Sequence, residues 1–480
     1  ANAVGTVLVG FGSGAALTDG AGNVAIGYQA SARMTTVAQS TAIGYQAMNG
    51  HLDGNKNMAI GYRAMYDTDG GGSSESSADN VFIGWTSGGG AWADALSQSN
   101  VAVGNSSMMG ALNACNDNTA LGSYTLQSMT GGNYNTALGY NAGQANLTGD
   151  SNVFIGHNAG DGTTDVDNTV IIGAGAGSVI MTGSGGADGN VAIGASALAA
   201  NTSGAGAVAV GFEALKAQVA GVSNTAIGYQ SMLTASHQDA DQNTCVGYIS
   251  GNGIISGQKN TLIGNEAGCT RLTTGDKNTA VGAETLGKGA NAVLTGDGNV
   301  AVGFQSLLAL KGSAADNVAI GHLSGVALTT GGSNTFVGAS AGDALLGGGN
   351  NVMMGVHAGG VTTAVEKSVL IGYYAGGRAN MTADANGTIA VGADAGASLI
   401  SGQYNTIVGY ESGYALADGD ANVLMGYQAG DSLTSSGNNV IIGYRAMTTA
   451  TTASDNNVAI GYQAMNGGHT TADVDGCVAI

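Results

Sequence analysis

The sequence predicts an all-β fold, a parallel β-solenoid in which the chain winds through about 26 short coils. A glycine closes a short apolar strand at 26 places between Gly10 and Gly461, and 15 of the 25 intervals between these glycines are 17 residues. The other intervals run from 18 to 23 residues, so 17 residues is the smallest closed coil and additional residues belong to loops. The 480 residues include 86 Gly and no Pro, as expected if nearly every backbone amide bonds to a neighbouring coil.

The predicted strand occupies the three residues before each repeat glycine, which we number as positions −3 to −1. Position −3 is Val or Thr in nearly every copy, and position −1 is always aliphatic. Because side chains alternate along a strand, these two positions share one face, which we expect to form the solenoid core. The structural repeat so defined includes Ile26, Gly27, Ile43, Gly44, Ile60, Gly61, Ile460 and Gly461.

The middle residue of the strand, at position −2, is apolar in all 26 copies and is Ala in 14 of them. A strand that is apolar on both faces is buried on both faces. We therefore expect position −2 to face outward and to contact another copy of the chain. The predicted oligomer interface includes Ala25, Ala42, Ala59, Ala137, Ala192, Ala226 and Ala319.

Position −4 carries Asn in 20 of 26 copies, among them Asn23, Asn57 and Asn457. Asn tolerates left-handed backbone and bonds to nearby main-chain groups, so it suits a turn at the start of each strand. Stacked copies are also able to form a ladder of side-chain amides. We favour this structural role over a carbohydrate-binding or ice-binding role for the Asn row.

The residues after the glycine predict a tight corner. Position +1 is aromatic in 15 copies, and position +3 is always Ala, Ser, Thr or Gly. Position +4 is Gly in 14 copies and Met or Leu in 11, with Ser31 as the exception. Since Gly permits positive φ and Met or Leu extends an apolar surface, this division predicts two types of corner.

Charge and motif content exclude several function classes. The net charge is −20, and such a surface repels nucleic acid and anionic membranes. The acidic residues lie in the loops, where we favour a role in solubility over calcium binding, because the nine-residue calcium repeat is missing. The sequence contains no catalytic constellation, targeting peptide or apolar membrane-spanning segment, so we expect no enzyme activity, no cofactor and no membrane insertion.

Cysteine and histidine positions predict no regular site. Cys115, Cys245, Cys269 and Cys477 occupy four different positions of the repeat, so we expect no disulfide framework and no zinc site. Two histidines take the position after the glycine, where a ring of three chains would place them on a shared axis; we favour ordinary substitution over metal binding there. These residues are His157 and His322.

Several stretches of the repeat carry a recognisable motif, Asn-x-Ala-Ile-Gly-Tyr-x-Ala. It is found in Asn23–Ala30, Asn57–Ala64, Asn135–Gly143, Asn422–Gly430 and Asn457–Ala464. The motif resembles the head repeats of YadA-like trimeric autotransporter adhesins and the repeats of phage-type tail fibres, over the whole chain. The resemblance implies a left-handed coil and a homotrimer whose outer Ala-rich faces meet at the axis. The longer spacing departs from the adhesin heads, and no membrane-anchor barrel or chaperone domain is recognisable.

Together these observations predict that residues 1–480 form a single repeat array with no separate domain, a segment of a longer extracellular fibre. We expect a virion appendage or a cell-surface adhesin that presents a receptor-binding tip. It is expected to bind a host receptor or surface glycans through its long loops at 66–79, 92–99, 178–189, 287–297 and 377–387, where Trp92 is the candidate ligand contact. The alternatives are a self-assembling surface or sheath filament and an ice-binding solenoid. We disfavour the latter because Val interrupts the Thr row in 15 copies and the row is expected to face inward.

Overall fold

A computed structural model describes residues 4–68, 76–93, 95–179, 181–182, 186–269, 272–287, 293–449, 454–467 and 475–480. The described chain contains 27 short strands and one 3-10 helix, Ala383–Ala385. Parts of four predicted long loops, residues 69–75, 94, 180, 183–185 and 288–292, lie outside the described residues. No helix in the described part of the chain is both long enough and apolar enough to cross a membrane.

The chain forms two compact units, Ala1–Gln242 and Asn243–Ile480, built from the same coil. The strands of the first unit are β1 (Val7–Val9), β2 (Val24–Ile26), β3 (Thr41–Ile43), β4 (Met58–Ile60), β5 (Val81–Ile83), β6 (Val101–Val103), β7 (Thr119–Leu121), β8 (Thr136–Leu138), β9 (Val153–Ile155), β10 (Val170–Ile172), β11 (Val191–Ile193), β12 (Val208–Val210) and β13 (Thr225–Ile227). The strands of the second unit are β14 (Thr244–Val246), β15 (Thr261–Ile263), β16 (Thr279–Val281), β17 (Val300–Val302), β18 (Val318–Ile320), β19 (Thr335–Val337), β20 (Val352–Met354), β21 (Val369–Ile371), β22 (Ile389–Val391), β23 (Thr406–Val408), β24 (Val423–Met425), β25 (Val440–Ile442), β26 (Val458–Ile460) and β27 (Val478–Ala479).

Within each unit, every strand pairs in parallel with the strand of the next coil, and equivalent repeat positions lie opposite each other. In the first unit, for example, Ala25 pairs with Ala42, which in turn pairs with Ala59. Loop insertions do not change this register, since Met58 pairs with Val81 across a coil of 23 residues. The structure therefore confirms the parallel β-solenoid with a minimum repeat of 17 residues, whereas a single array over 1–480 stays a prediction.

The repeat glycine is required because neighbouring coils approach each other closely there. Gly27 has φ of +137°, and a Cβ atom added to it would lie 2.2 Å from the carbonyl oxygen of Gly44. The same approach recurs from Gly44 to Gly61. A side chain at this position would therefore collide with backbone and occupy a conformation that L residues avoid. This collision explains the glycine where a further coil packs against it, whereas at Gly461 nothing lies within 4 Å and the positive φ of +130° is what favours glycine.

The predicted orientation of the strand was wrong, because position −2 faces the coil interior and positions −3 and −1 face outward. Ala25 is fully buried, whereas Ile26 is 37% exposed and Ile43 and Ile60 are half-buried. Alternation fixes which positions share a face but not which face is inside. The inward position holds side chains as small as Ala25 and as large as Phe82 and Phe154, so the way the coil closes, and not the size of the residue at position −2, determines which face is inside.

The alanines predicted to form the oligomer interface are consequently core residues. Each of them is at most 1% exposed in the single chain, so they are unable to contact a second chain. The residues concerned are Ala25, Ala42, Ala59, Ala137, Ala192, Ala226 and Ala319. The strand is still apolar on both faces, and the outward face now consists of the rows at positions −3 and −1.

Residues at positions −2 and +4 share the core space of each coil and complement each other in volume. Ala42 occurs with Met48, and both are fully buried. Phe82 occurs with Gly88, where an added Cβ would lie 2.4 Å from the Phe82 ring. Ala and Gly occur together at Ala137 and Gly143, and there the Phe154 ring of the next coil fills the space. In most coils a large residue at one position therefore accompanies a small residue at the other.

This pairing also corrects the prediction of two corner types. Met48 has φ of +54° and Gly143 has φ of +59°, so both residues adopt the same left-handed backbone conformation. The corner is of one type, and only the volume that its side chain contributes to the core differs. The small residue at position +3 is buried, for instance at Ala30 and Ala47.

Candidate functional site

The outward face of the sheet is an extended, partly exposed apolar surface of the described chain. Rows −3 and −1 lie side by side on consecutive coils and are apolar apart from Thr at position −3. Leu121 and Leu138, which pair across neighbouring strands, are 48% and 43% exposed. At about 4.8 Å per coil, thirteen coils extend these rows for roughly 60 Å in the first unit. Contiguous apolar surface of this length on one chain indicates a binding surface.

Aromatic side chains at position +1 form columns beside this face. In the first unit Tyr28, Tyr45 and Tyr62 stack with ring centroids 5.2 Å apart and planes within 9° of parallel. In the second unit Tyr410 begins a column of four Tyr rings spaced 5.1–5.4 Å apart. The rings are roughly half exposed, and within a column their faces cover one another. Their edges are therefore the part that solvent or a partner reaches. The sequence contained the signal for these columns, because residues one coil apart at equivalent positions are stacked.

The Asn row at position −4 forms the predicted ladder of side-chain amides inside each unit. Asn334 Nδ2 donates to Asn317 Oδ1 at 3.0 Å and to the carbonyl oxygen of Gly348 at 3.1 Å. Asn334 Oδ1 accepts from the backbone N–H and from Nδ2 of Asn351. Asn334 is fully buried, as are Asn23, Asn457 and, nearly so, Asn57. The ladder is thus structural, and its amides have no surface left for a ligand.

Trp92, predicted as the candidate glycan contact, is a core residue. It is 1% exposed, its Nε1 donates to the carbonyl oxygen of Gly88 at 3.0 Å, and its ring meets the edge of Phe82 at 5.7 Å. The coils from Gly61 to Gly84 and from Gly84 to Gly104 have 23 and 20 residues instead of 17. These additional residues allow the Trp92 indole to reach the interior. A long loop is expected to be exposed, but the part that carries Trp92 folds back onto the core.

The loop acids satisfy backbone groups of the preceding coil. Asp167 Oδ1 accepts the backbone N–H of Asp150 at 2.7 Å, and Asp188 Oδ1 accepts that of Asp167 at 2.9 Å. Asp150 Oδ1 in turn accepts the backbone N–H of Asn133 at 2.6 Å. Among the described residues, no group of three or more His, Cys, Asp or Glu is arranged to hold a metal ion.

Among the histidines that the structure describes, His51 is the only one that is fully buried. Its Nε2 lies 3.0 Å from the carbonyl oxygen of Gly54 and 2.9 Å from Asn57 Nδ2, and its Nδ1 lies 3.3 Å from Thr68 Oγ1. Burial lowers the pKa of His51 from 6.5 to about 4, since the charged imidazolium is poorly solvated there. The residue is therefore neutral near pH 7.

His157 and His322 belong to the aromatic columns, and the four cysteines are free thiols. His157 stacks on Tyr140 at 5.4 Å and His322 stacks on Phe304 at 5.6 Å, so each takes the place of an aromatic ring in a column. The four cysteines lie within the described ranges and form no disulfide. Burial raises the pKa of Cys115 to about 11 and that of Cys245 to about 12, so both are thiols near neutral pH.

Comparison with known proteins adds no assignment. No protein-family model matches the chain, and no curated protein matches it significantly.

Proposed function

We propose that this chain is the shaft of an extracellular fibre, a homotrimer that belongs to a virion appendage or a cell-surface adhesin and presents a receptor-binding tip. The observation that carries the proposal is the outward face of the sheet, where rows −3 and −1 leave apolar side chains such as Leu121 and Leu138 exposed on coil after coil. Three chains placed around an axis bury this face on each of them. The resemblance to the trimeric adhesin heads supports a homotrimer and a left-handed coil, with rows −3 and −1 rather than the buried alanine row at the axis.

The composition of the chain fits a shaft. Each coil buries its core only by stacking on its neighbours, and the backbone hydrogen bonds of the strands run from coil to coil. The net charge of −20 keeps such assemblies apart from one another and from anionic surfaces. A receptor or a surface glycan is the expected partner, and nucleic acid is not.

The test is the molar mass of the undenatured protein in solution, measured by light scattering. A homotrimer has three times the chain mass of 46.6 kDa. Replacing Leu121 and Leu138 together by Glu puts charges on the outward face of two paired strands and is expected to dissociate or weaken the trimer. Thr148→Glu adds one charge at an exposed loop position and is expected to leave the mass unchanged. A monomeric native chain would refute the proposal.

An ice-binding solenoid is a second candidate, which the orientation of the Thr row favours. Thr244, Thr261 and Thr279 lie in register on three consecutive strands, at position −3, which faces outward rather than inward. The neighbouring row at position −1 is purely aliphatic, which favours a protein interface instead. Thermal hysteresis of a monomeric chain would support ice binding, and its absence in a monomer would exclude it.

A further inference from the structure

In the second unit, one interruption of the aromatic row at position +1 is a single coil wide, with one small residue in place of a ring. Tyr410 stacks on Tyr427 at 5.4 Å, so one face of its ring is covered. Its other face points toward the preceding coil, where position +1 is Ala393, a half-buried residue. One coil further back, position +1 is Tyr373. Tyr373 is 52% exposed and Tyr410 is 46% exposed. The two tyrosines therefore border a gap one coil wide with Ala393 as its floor.

The size of this gap follows from the spacing of the column. Neighbouring rings lie 5.1–5.4 Å apart where the column is complete, so positions two coils apart are separated by about 10 Å. That distance holds one further ring. The other interruptions in the described coils are two coils wide, as at Ala174 and Ala195 between His157 and Phe212. Only the gap at Ala393 has aromatic residues on both sides at this distance.

Polar groups in a fixed geometry lie next to the floor residue and to Tyr373. Asp394, next to the floor residue, is 8% exposed and accepts a hydrogen bond from Arg378 Nε at 2.5 Å. The Arg378 guanidinium lies over the ring of Tyr374 at 4.6 Å, and that ring meets Tyr373 edge to face at 4.6 Å. A guanidinium has five N–H donors, of which this bond to Asp394 uses one. The arrangement thus leaves oriented donors beside an aromatic gap.

We propose that the gap over Ala393 binds one pyranose ring of a glycan, between Tyr373 and Tyr410. This proposal rests on the proposed function as an extracellular fibre and names the ligand class for it. The C–H groups on both faces of a pyranose pack on the two aromatic rings, and its hydroxyl groups bond to Arg378 and Asp394. A planar ring also fits a gap of this width, because Tyr rings occupy the same spacing wherever the column is complete. The remaining N–H donors of Arg378 favour a ring that carries hydroxyl groups over an aromatic one.

The test is saturation-transfer NMR on the full chain with the methyl glycosides of glucose, galactose, mannose and N-acetylglucosamine. We expect transfer to the ring protons of at least one glycoside, and at least a tenfold weaker effect in Ala393→Tyr, which fills the gap. Tyr is the residue at position +1 of many other coils, so this variant is expected to fold normally. Ala174→Tyr makes the same substitution in an interruption two coils wide and is expected to bind like the native chain.

Three results would overturn the proposal. The first is no transfer from the native chain to any of the four glycosides, and the second is equal transfer from Ala393→Tyr. The third is a response to p-cresol alone, which would identify the occupant as a planar aromatic group. Light scattering of the same samples reports the trimer independently, so failure of sugar binding and failure of the proposed fibre are distinguished.

Discussion

Exchanging the residues at positions −2 and +4 of one coil tests whether volume complementarity determines the core. Leu262 is fully buried in β15, and a Cβ atom added to Gly268 would lie 2.8 Å from Leu262 Cδ1. The next coil has the opposite arrangement, with Ala280 and Leu286 at the same two positions, both fully buried. The exchange Leu262→Ala with Gly268→Leu therefore copies a pair that the protein already uses.

The single substitutions are expected to be costly. Leu262→Ala removes a buried side chain and leaves a cavity, a loss of about 2–5 kcal/mol. Gly268→Leu forces a side chain against Leu262, an overpacking cost of about 1–3 kcal/mol, and places Leu in left-handed backbone. Gly268 has φ of +55°, and Leu286 adopts φ of +57° in its own coil, so the backbone itself accommodates the residue. The double variant is expected to lose less than about 2 kcal/mol, since each change relieves the other.

The free energy is best measured locally, because long repeat arrays depart from two-state unfolding. Native-state hydrogen exchange of the β15 backbone amides reports opening of this coil in each variant. The expected coupling between the two sites is at least about 1 kcal/mol. If the loss in the double variant equals the sum of the two single losses to within about 0.5 kcal/mol, the reasoning on core volume is refuted.

Three further perturbations follow from the glycine, Asn and His positions. Gly44→Ala places a Cβ atom 2.2 Å from the Gly61 carbonyl oxygen and is expected to lower the free energy of local opening by more than about 3 kcal/mol in native-state hydrogen exchange of the adjacent strand amides. Gly467→Ala, with nothing within 4 Å of the added Cβ atom, is expected to change it little. Asn334→Ala removes the acceptor of the Asn351 backbone N–H and the donor to the Gly348 carbonyl oxygen, and is expected to cost about 1–3 kcal/mol by the same measurement. Asn334→Ser, a residue that other coils use at this position, should cost less. Because the folded-state pKa of His51 is about 4 and its ordinary value is 6.5, its contribution to stability is complete above pH 6.5 and is lost as the pH falls toward 4, by about 3 kcal/mol. Urea titrations over this pH range should show the loss in the native chain and a flatter dependence in His51→Gln, and an identical pH dependence in both would contradict the assignment.

The sequence predicted the strand positions and register well because the repeat glycine is imposed by backbone contact. No residue other than Gly fits where Gly27 approaches Gly44, so the sequence has no freedom there. The Asn ladder was predictable for a related reason, since Asn317 and Asn334 bond to each other only when they occupy equivalent positions. Both signals repeat at each coil and do not depend on which face of the strand is inside.

The orientation of the strand was not predictable from alternation alone. Ala25 and Ile26 are both apolar, and which of them faces inward depends on how the coil closes, which is a property of the whole coil rather than of the strand. Trp92 was misassigned for a similar reason, because its burial depends on inserted chain that folds back over Phe82. The gap at Ala393 was visible in the sequence only as one alanine between two tyrosine-bearing coils, and the partners Arg378 and Asp394 required the structure.

The in-register pairing of successive coils also bears on how the chain acquires its fold. Every pairing within a unit joins residues one coil apart, 17 residues for Val24 and Thr41 and 23 for Met58 and Val81. Such short separations in sequence correspond to fast closure, unlike most all-β proteins, whose strands pair across long stretches of chain. The chain also has no Pro, and hence no slow cis–trans isomerisation at X-Pro bonds. Coils are thus able to form one after another while the chain is still being synthesised, each on the template of the one before it.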